Sequence, residues 1–379
     1  MKAKEPLFRV VKKESVNRWK LVLAYLIAIA AALLIGALLL SIMKVNALDF
    51  YKKMITLGIP GNKYPFRSVQ GFISLFVPLL IVSMALALAF RMRFWNVGGE
   101  GQFIIGAICA GTAAFVGGNA LPGPVMIFVM AVCGALGAGL YGSIASVLKV
   151  RYGTNETLMT LMLNYIALYL LRFFGETQGE WNIFLSAESV RPRFDTFPDS
   201  AQMPSIVIGD FSLNITLIIA LILCVLISVY LKYTKHGYEI AVVGDSPNTA
   251  RYAGMKVSRV VIRTVFLSAA LVGLAGAFYV SSSGALSTSV TNDVGWTGVI
   301  VAWLAKLSTA GILVTSVLIT VLQYGCQVAS TGYSNIDSNF ANLLQGIILF
   351  AVLMADFTSN RSEERRVGKE CRSRWSPYH

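Results

Sequence analysis

Long apolar stretches alternate with short polar segments along most of the chain. A helix needs roughly 20 apolar residues to cross about 30 Å of hydrocarbon, so each long stretch is a candidate membrane span. The pattern predicts an all-α, polytopic transmembrane helical bundle of about ten spans, at residues 21–43, 72–90, 103–118, 125–148, 157–174, 213–231, 264–281, 295–308, 311–330 and 340–357.

Two of these stretches, 103–118 and 295–308, are short for a complete crossing. They are candidates for tilted, broken or re-entrant helices, which are tolerated only where protein or a water-filled path covers the backbone. The first stretch, from Leu21, is about 20 residues long and lacks a small-residue cleavage signal, so it predicts a retained span rather than a signal peptide.

Composition supports a bilayer as the solvent. Of the 379 residues, 56% are hydrophobic and 13% are charged, whereas a soluble domain carries about 25% charged residues. The net charge of +13 arises from cations between the apolar stretches, where they can face anionic headgroups. Membrane lipid is therefore the expected partner of these charges, and nucleic acid is not.

Lysine and arginine concentrate in particular loops, which predicts an orientation because cytoplasmic loops are enriched in these residues. Segments 1–20 and 232–263 are basic, whereas segment 175–212 is acidic. With ten spans, this places both termini and segment 232–263 in the cytoplasm. Segment 44–71 disagrees, because it should lie outside and yet has a net positive charge from Lys44, Lys52, Lys53, Lys63 and Arg67 against Asp49.

Residues 361–379 differ abruptly from the rest of the chain in composition. They read RSEERRVGKECRSRWSPYH, which fits either a solvated cytoplasmic tail or a spurious ending of the kind found where a translated shotgun assembly runs into foreign sequence. We favour the second interpretation, expect this tail to be non-native, and assign it no function.

The motifs of common enzymes are missing from the sequence. There is no G-x-x-x-x-G-K-[ST] loop, since the single Gly-Lys pair, Gly368-Lys369, is followed by Glu370. His236 and His379 form no H-E-x-x-H motif, no G-x-S-x-G is present, and none of the five cysteines forms a C-x-x-C pair. We therefore expect a chain that is not an enzyme, with no ATPase site, metal or cofactor of its own.

Ionisable residues inside the apolar stretches are few. Glu100, Glu156, Arg172 and Lys306 lie near predicted helix ends, where long side chains can reach the interface. An ion-coupled secondary transporter commonly holds titrating groups near mid-membrane, so their scarcity makes that alternative weaker. Glycine is frequent inside the spans, as at Gly134 and Gly273, and predicts close packing of helices.

Segment 232–263 predicts a small capped helix. Residues 244–247 form a turn in which Asp245 or Ser246 can cap the helix after it, and Pro247 suits the first helical position, where its missing N–H costs nothing. Residues 248–253 then form the helix, and Gly254 ends it. Such a helix suits docking to a partner, although an ordinary amphipathic surface loop explains the residues equally well.

This segment resembles the corresponding loop in the permease subunits of bacterial ABC importers for nucleosides and simple sugars, which are related to ribose and branched-chain amino-acid permeases. The matching residues are Thr234, Gly237, Ile240, Ala241, Gly244, Ala250, Arg251, Ala253 and Gly254. The resemblance implies that the short helix is a coupling helix that docks in a groove of the ATP-hydrolysing subunit. It assigns ATPase coupling to Gly244, Asp245, Ser246, Pro247, Asn248, Ala250, Arg251 and Gly254.

Three further stretches are similar to the same family, and the resemblance covers roughly residues 20–357. They are FRMRFWNVGGEGQ at 90–102, NETLMTLMLNYIA at 155–167 and LQGIILF at 344–350. The first two favour the nucleoside branch. Lys306 departs from the family, which is expected to have glycine there. A lysine near the inner end of a short span could alter the path or its gating, and this departure leaves the exact solute open.

The resemblance implies a type II ABC importer-like permease domain at residues 21–357, in the bacterial plasma membrane. Its expected solutes are nucleosides, with simple sugars as the alternative. Its implied partners are an ATP-binding subunit, a second permease subunit and an extracytoplasmic solute-binding lipoprotein.

Six polar residues are candidates for the solute path. A nucleoside needs a few polar partners in an otherwise apolar cavity, and amide side chains offer both donors and acceptors. Asn96 and Glu100 could equally cap or brace a broken third span. The six candidates are Asn96, Glu100, Gln102, Asn155, Glu156 and Asn164.

Overall fold

The computed structural model describes residues 8–12, 18–60, 65–186, 191–208, 211–333, 336 and 338–365. Most of these residues are helical, which confirms the predicted all-α class. The helices are α1 (Arg18–Ile42), α2 (Ala47–Ile55), α3 (Pro65–Arg91), α4 (Gly99–Gly117), α5 (Gly123–Tyr152), α6 (Glu156–Glu176), α7 (Thr216–Tyr233), α8 (Lys235–Asp245), α9 (Pro247–Tyr252), α10 (Val257–Ser283), α11 (Val294–Leu304), α12 (Thr309–Thr331) and α13 (Ser338–Asn360).

Short strands complete the described structure. They are β1 (Phe8–Lys12), β2 (Ser205–Ile208), β3 (Phe211–Asn214) and β4 (Arg361–Arg365). The first pairs antiparallel with the last, and β2 pairs antiparallel with β3 to form a hairpin. The first five residues of the tail expected to be non-native form β4, and the rest of that tail lies outside the described residues.

Each of the ten predicted spans coincides with a helix. Among the described residues, eight helices are long and apolar enough to cross a membrane, namely α1, α3, α4, α5, α6, α7, α10 and α12. Two shorter apolar segments, Val294–Leu304 and Asn342–Ala355, account for the other two predicted spans. The estimate of about ten therefore resolves into eight long helices and two shorter ones.

The expectation that the third span is short is wrong. Helix α4 begins at Gly99 and runs unbroken for 19 residues, because the glycines and polar residues before Phe103 are part of it. The eighth span is short as expected: α11 has 11 residues, and at about 1.5 Å per residue it covers about 16 Å, roughly half of the hydrocarbon.

Two helices, α2 and α8, were not predicted from the sequence. Helix α2 is amphipathic, with Phe50 and Met54 buried and Asp49, Lys52 and Lys53 on its polar side. Part of the positive charge that opposed the predicted orientation therefore belongs to a short helix that is suited to a membrane interface, rather than to an extended loop.

The chain divides into two compact units. One comprises residues 1–55 and 326–379, in which α1 packs against α13. The other comprises residues 56–325 and is built around α3, whose residues from Leu75 to Phe90 are all buried. A helix that is apolar and buried on every side forms the centre of a bundle, and α10 packs against it as well as against α4 and α5.

Glycines set the separation of α4, α5 and α10. A Cβ atom on Gly106 would overlap the backbone of Gly273, and a Cβ atom on Gly273 would overlap the Gly134 carbonyl and the Ala138 side chain. Small residues let helix backbones approach closely inside a membrane. The prediction of close glycine packing is therefore confirmed at these positions.

Gly273→Ala is expected to lower the melting temperature of the purified protein in detergent. The added methyl group has no room, and overpacking a well-packed core costs about 1–3 kcal/mol. Gly346→Ala is the matched control, because nothing lies within 4 Å of a Cβ atom at that glycine. Equal losses in both variants would contradict the role assigned to the glycine contact.

Candidate functional site

The segment between α3 and α4 carries a buried pair of amide side chains. Asn96 Nδ2 donates to Gln102 Oε1 at 3.2 Å, and Gln102 Nε2 donates to Asn96 Oδ1 at 2.9 Å. Asn96 Oδ1 also accepts the backbone N–H of Gly98 at 3.1 Å. Both side chains are almost fully buried, so they satisfy each other and fix the turn that starts α4.

Asn164 of α6 joins the same cluster. Its Oδ1 accepts the backbone N–H of Gly101 at 2.8 Å, and its Nδ2 donates to the Val97 carbonyl at 2.9 Å. A Cβ atom on Gly101 would lie 2.9 Å from the Asn164 Cα atom, so the glycine permits the approach. Through these two hydrogen bonds α6 holds the first turn of α4, where backbone N–H groups lack intrahelical partners.

Glu100 connects α4 to the short helix α11. Its Oε2 accepts the backbone N–H of Gly295 at 2.9 Å, in the first turn of α11. The residue before α11, Asp293, makes no capping hydrogen bond with its side chain. A carboxylate at a helix N-terminus satisfies free N–H groups and interacts favourably with the helix dipole, so Glu100 acts as a cap supplied from another helix.

The opposite end of α11 is held by Arg91. The Nε and Nη2 atoms of Arg91 donate to the Leu307 carbonyl at 3.1 and 2.6 Å. Lys306 and Leu307 have φ angles of 51° and 58°, a left-handed conformation that glycine adopts most easily. This backbone geometry explains why glycine suits position 306; an effect of Lys306 on the solute path or its gating remains a prediction.

The remaining two path candidates lie elsewhere. Asn155 is exposed and caps α6, since its Oδ1 accepts the backbone N–H groups of Thr157 at 3.0 Å and Leu158 at 3.3 Å. Glu156 forms an ion pair with Lys149 near the end of α5. The six candidates therefore do not form one site. Asn96, Glu100, Gln102 and Asn164 make bracing contacts, and a solute-path role for any of the six remains a prediction.

The predicted capped helix is present in segment 232–263. Ser246 Oγ accepts the backbone N–H of Thr249 at 3.3 Å, Pro247 occupies the first turn, and Gly254 comes after the helix with φ +77°. The helix spans Pro247–Tyr252, one residue earlier than predicted. A second helix, α8, precedes it and is capped by Thr234, whose Oγ1 accepts the backbone N–H of Gly237 at 3.2 Å.

Two contacts attach this helix pair to the bundle. A Cβ atom on Gly244 would overlap the Arg91 carbonyl oxygen, so α8 lies directly on the end of α3. Arg263 of α10 donates from Nη2 to Glu239 Oε2 at 2.8 Å. This hydrogen bond, more than the weaker contact with His236, lowers the pKa of Glu239 below its usual value, so the bond stays intact at neutral pH.

The other side of α9 faces away from the chain. Gly244 and Ala250 are buried and Ser246 is half-buried, whereas the remaining coupling candidates, Asp245, Pro247, Asn248, Arg251 and Gly254, are exposed. Tyr252 is 93% exposed and was missed by the sequence analysis. An aromatic residue in an otherwise polar helix is the signal that could have revealed it, because Tyr and Arg are enriched where proteins bind each other.

Asn164→Ala is expected to destabilise the protein more than Asn155→Ala does. The first change leaves buried backbone groups unpaired, at a cost of about 1–3 kcal/mol each. The second removes an exposed helix cap, which typically costs about 1 kcal/mol. Thermal denaturation in detergent measures the difference, and a loss for Asn164→Ala no greater than for Asn155→Ala would contradict the bracing role.

Several known proteins are similar to this chain in sequence. The family described as branched-chain amino acid transport system, permease component, matches residues 68–353. The nucleoside ABC transporter permease protein NupB of Lactococcus lactis subsp. cremoris is 29% identical over 82% of this chain and 85% of its own length. The guanosine ABC transporter permease protein NupP of Bacillus subtilis is 29% identical over 89% of this chain and 94% of its own length.

A sugar transporter is also similar. The glucose ABC transporter permease protein TsgB13 of Haloferax volcanii is 25% identical over 91% of this chain and 90% of its own length. The family match covers more than half of the chain and includes the braced junction and the α8–α9 pair. This chain therefore belongs to the permease components of the branched-chain amino acid transport system family, and is a membrane-spanning transport subunit.

Proposed function

We propose that the chain is the permease subunit of an ATP-driven importer of nucleosides. The observation that carries this proposal is α9, a capped six-residue helix that rests on the bundle by its buried Ala250 and turns Arg251 and Tyr252 outward. Its shape and exposed residues suit insertion into a groove of a separate subunit. That subunit binds and hydrolyses ATP, since this chain has no phosphate-binding loop.

The nucleoside assignment rests on the relatives. One relative is named as a nucleoside permease and another as a guanosine permease, and each matches more than four fifths of this chain. A second candidate solute, a simple sugar, is supported by the glucose permease relative. Both assignments share the remaining partners: a second permease subunit, and a solute-binding lipoprotein that delivers the solute from the extracytoplasmic side.

The contacts of α8 indicate how movement of α9 reaches the membrane spans. Gly244 rests on the Arg91 carbonyl at the end of α3, and the Arg91 side chain holds the end of α11. The Glu239–Arg263 hydrogen bond links α8 to α10. When the ATP-binding subunits close, displacement of α9 is thus passed to the central helix, the short helix and α10 together, and the solute path opens alternately to each side.

Cations support a cytoplasmic position for α9. Arg93, Lys149 and Arg251 line one cleft where the α3–α4 segment, α5 and α9 meet. Cytoplasmic loops are enriched in such residues, so we place this end of the unit in the cytoplasm of a bacterium. We also propose, from the ten predicted spans and the basic segment 1–20, that both termini lie inside.

Arg251→Glu is expected to abolish nucleoside uptake while the protein still reaches the membrane. Reversing the charge of a central exposed residue in a docking helix typically costs at least about 2 kcal/mol of binding, or more than about tenfold. The measurement is uptake of radiolabelled guanosine, uridine and ribose in cells that express the chain with its partners.

Lys235→Glu provides the matched control, because this lysine is also exposed and lies in the same loop but outside α9. It should leave uptake nearly unchanged. If the chain alone moves solute and collapse of the proton gradient stops it, the chain is a secondary transporter and the proposal is wrong. Uptake of ribose without nucleosides would select the sugar alternative.

A further inference from the structure

A cavity of about 410 Å³ lies in the unit of residues 56–325, between α3, β3, the start of α7 and α10. Small-molecule sites commonly enclose about 300–1,000 Å³. None of the six path candidates lines it. Its walls come from three separate parts of the chain, at residues 67–78, 212–216 and 275–283.

The cavity lies at the end of the unit that is remote from α9. Both Gly71, in its wall, and Arg91, under α8, belong to α3. Twenty residues separate them, which is about 30 Å along a helix. The cavity ends at Pro78, and from Leu79 to Phe90 every residue of α3 is buried. With α9 in the cytoplasm, the cavity therefore lies toward the outer end of the unit, and the buried residues Leu79–Phe90 of α3 lie between it and the inner end.

One part of the cavity wall carries uncharged hydrogen-bonding groups. Gln70 Nε2 donates to Ser212 Oγ at 2.8 Å, and Asn214 Nδ2 donates to Ser282 Oγ. These amides and hydroxyls can donate and accept at the same time. The deeper wall is apolar and includes Val77, Ala275 and Phe278.

Pro78 leaves one backbone carbonyl of α3, that of Ser74, without its helical donor beside the cavity. Proline has no N–H, so the carbonyl of Ser74, four residues earlier in α3, lacks its usual helical donor. Ser74 lines the cavity and is exposed, whereas the next residues of α3 are buried. A proline inside a membrane helix is tolerated where neighbouring groups or a water-filled cavity supply partners, so this carbonyl can accept from a bound solute.

The charges of the lining discriminate between solute classes. Arg67 is the charged residue among the described lining residues, which include no aspartate or glutamate. The ammonium group of an amino acid would therefore find no carboxylate partner, and burying it unpaired is costly. A nucleoside is uncharged, presents hydroxyl and amine donors, and has a flat apolar base that fits against Phe278 and Val77.

We infer that this cavity is the outer binding site in which the permease receives a nucleoside, with its polar groups toward Gln70 and Asn214 and its base against the apolar wall. The inference rests on the proposed function and adds the location and chemistry of the site. It also separates this chain from the amino-acid solutes in the description of its family.

The test is protection of an introduced thiol. Ser74→Cys is made in a variant in which Cys109, Cys133, Cys224, Cys326 and Cys371 are replaced by serine, and the complete transporter is placed in right-side-out vesicles. A membrane-impermeant thiol reagent should modify the thiol at this position, and saturating guanosine should slow modification by about tenfold. Leucine should not slow it, and ribose should slow it less. Ser287→Cys, exposed and outside the cavity, is the control and should react equally with and without guanosine.

A second variant keeps the test decisive if the thiol variant is inactive. Ser74→Trp fills the cavity and should reduce guanosine uptake by about tenfold at unchanged membrane abundance, whereas Ser287→Trp should not. This inference alone would be overturned if the original transporter imports guanosine, guanosine does not protect position 74, and Ser74→Trp imports guanosine normally. Protection by leucine instead of guanosine would also overturn it. Failure of the original transporter to import any nucleoside would instead overturn the proposed function.

Discussion

Helix α11 begins with the buried residues Val294 and Gly295. The Val294 N–H donates to the Thr291 carbonyl, and the buried Gly295 N–H needs a partner from outside the helix. Glu100 meets this requirement because its carboxylate oxygen accepts the Gly295 N–H, and much of the unit depends on that contact. The carboxylate must stay in place, so the first turn of α4 must be rigid. The Asn96–Gln102 pair and Asn164 supply that rigidity from both sides. Four polar side chains that are candidates for the solute path in the sequence thus also brace two helix starts.

The same junction lies between the helix pair α8–α9 and the outer cavity. Arg91 touches α8 through its carbonyl and α11 through its side chain. Toward the other end of α3, the residues that line the cavity lie between Arg67 and Pro78. Helices α3 and α10 both reach from the α8 contacts to the cavity wall. Two ends of the unit about 30 Å apart are therefore joined by continuous packed helices, which can carry energetic coupling between the α8–α9 pair and the proposed solute site.

Hydropathy and local capping rules anticipated much of this structure, because both depend on residues that are near each other in sequence. The spans, the Ser246–Pro247 helix start and the glycine contacts were all readable in that way. Helix α2 was not, because its apolar residues form a stripe too short for a span. The length of α4 was underestimated because its first turn is polar. That turn is buried through a contact with Asn164, which lies 62 residues after Gln102 in the sequence. The cavity could not be anticipated, since it exists only where three distant segments meet.

Pro78 has a mechanical consequence. It removes one hydrogen bond from the centre of α3, and helices bend preferentially at such positions. The half of α3 beyond Pro78 is clamped by buried neighbours and by the Arg91 contacts, whereas the half before it forms the cavity wall. Helix α3 can therefore pivot at Pro78. A small displacement of its end at α8 would then change the width of the cavity mouth at its other end.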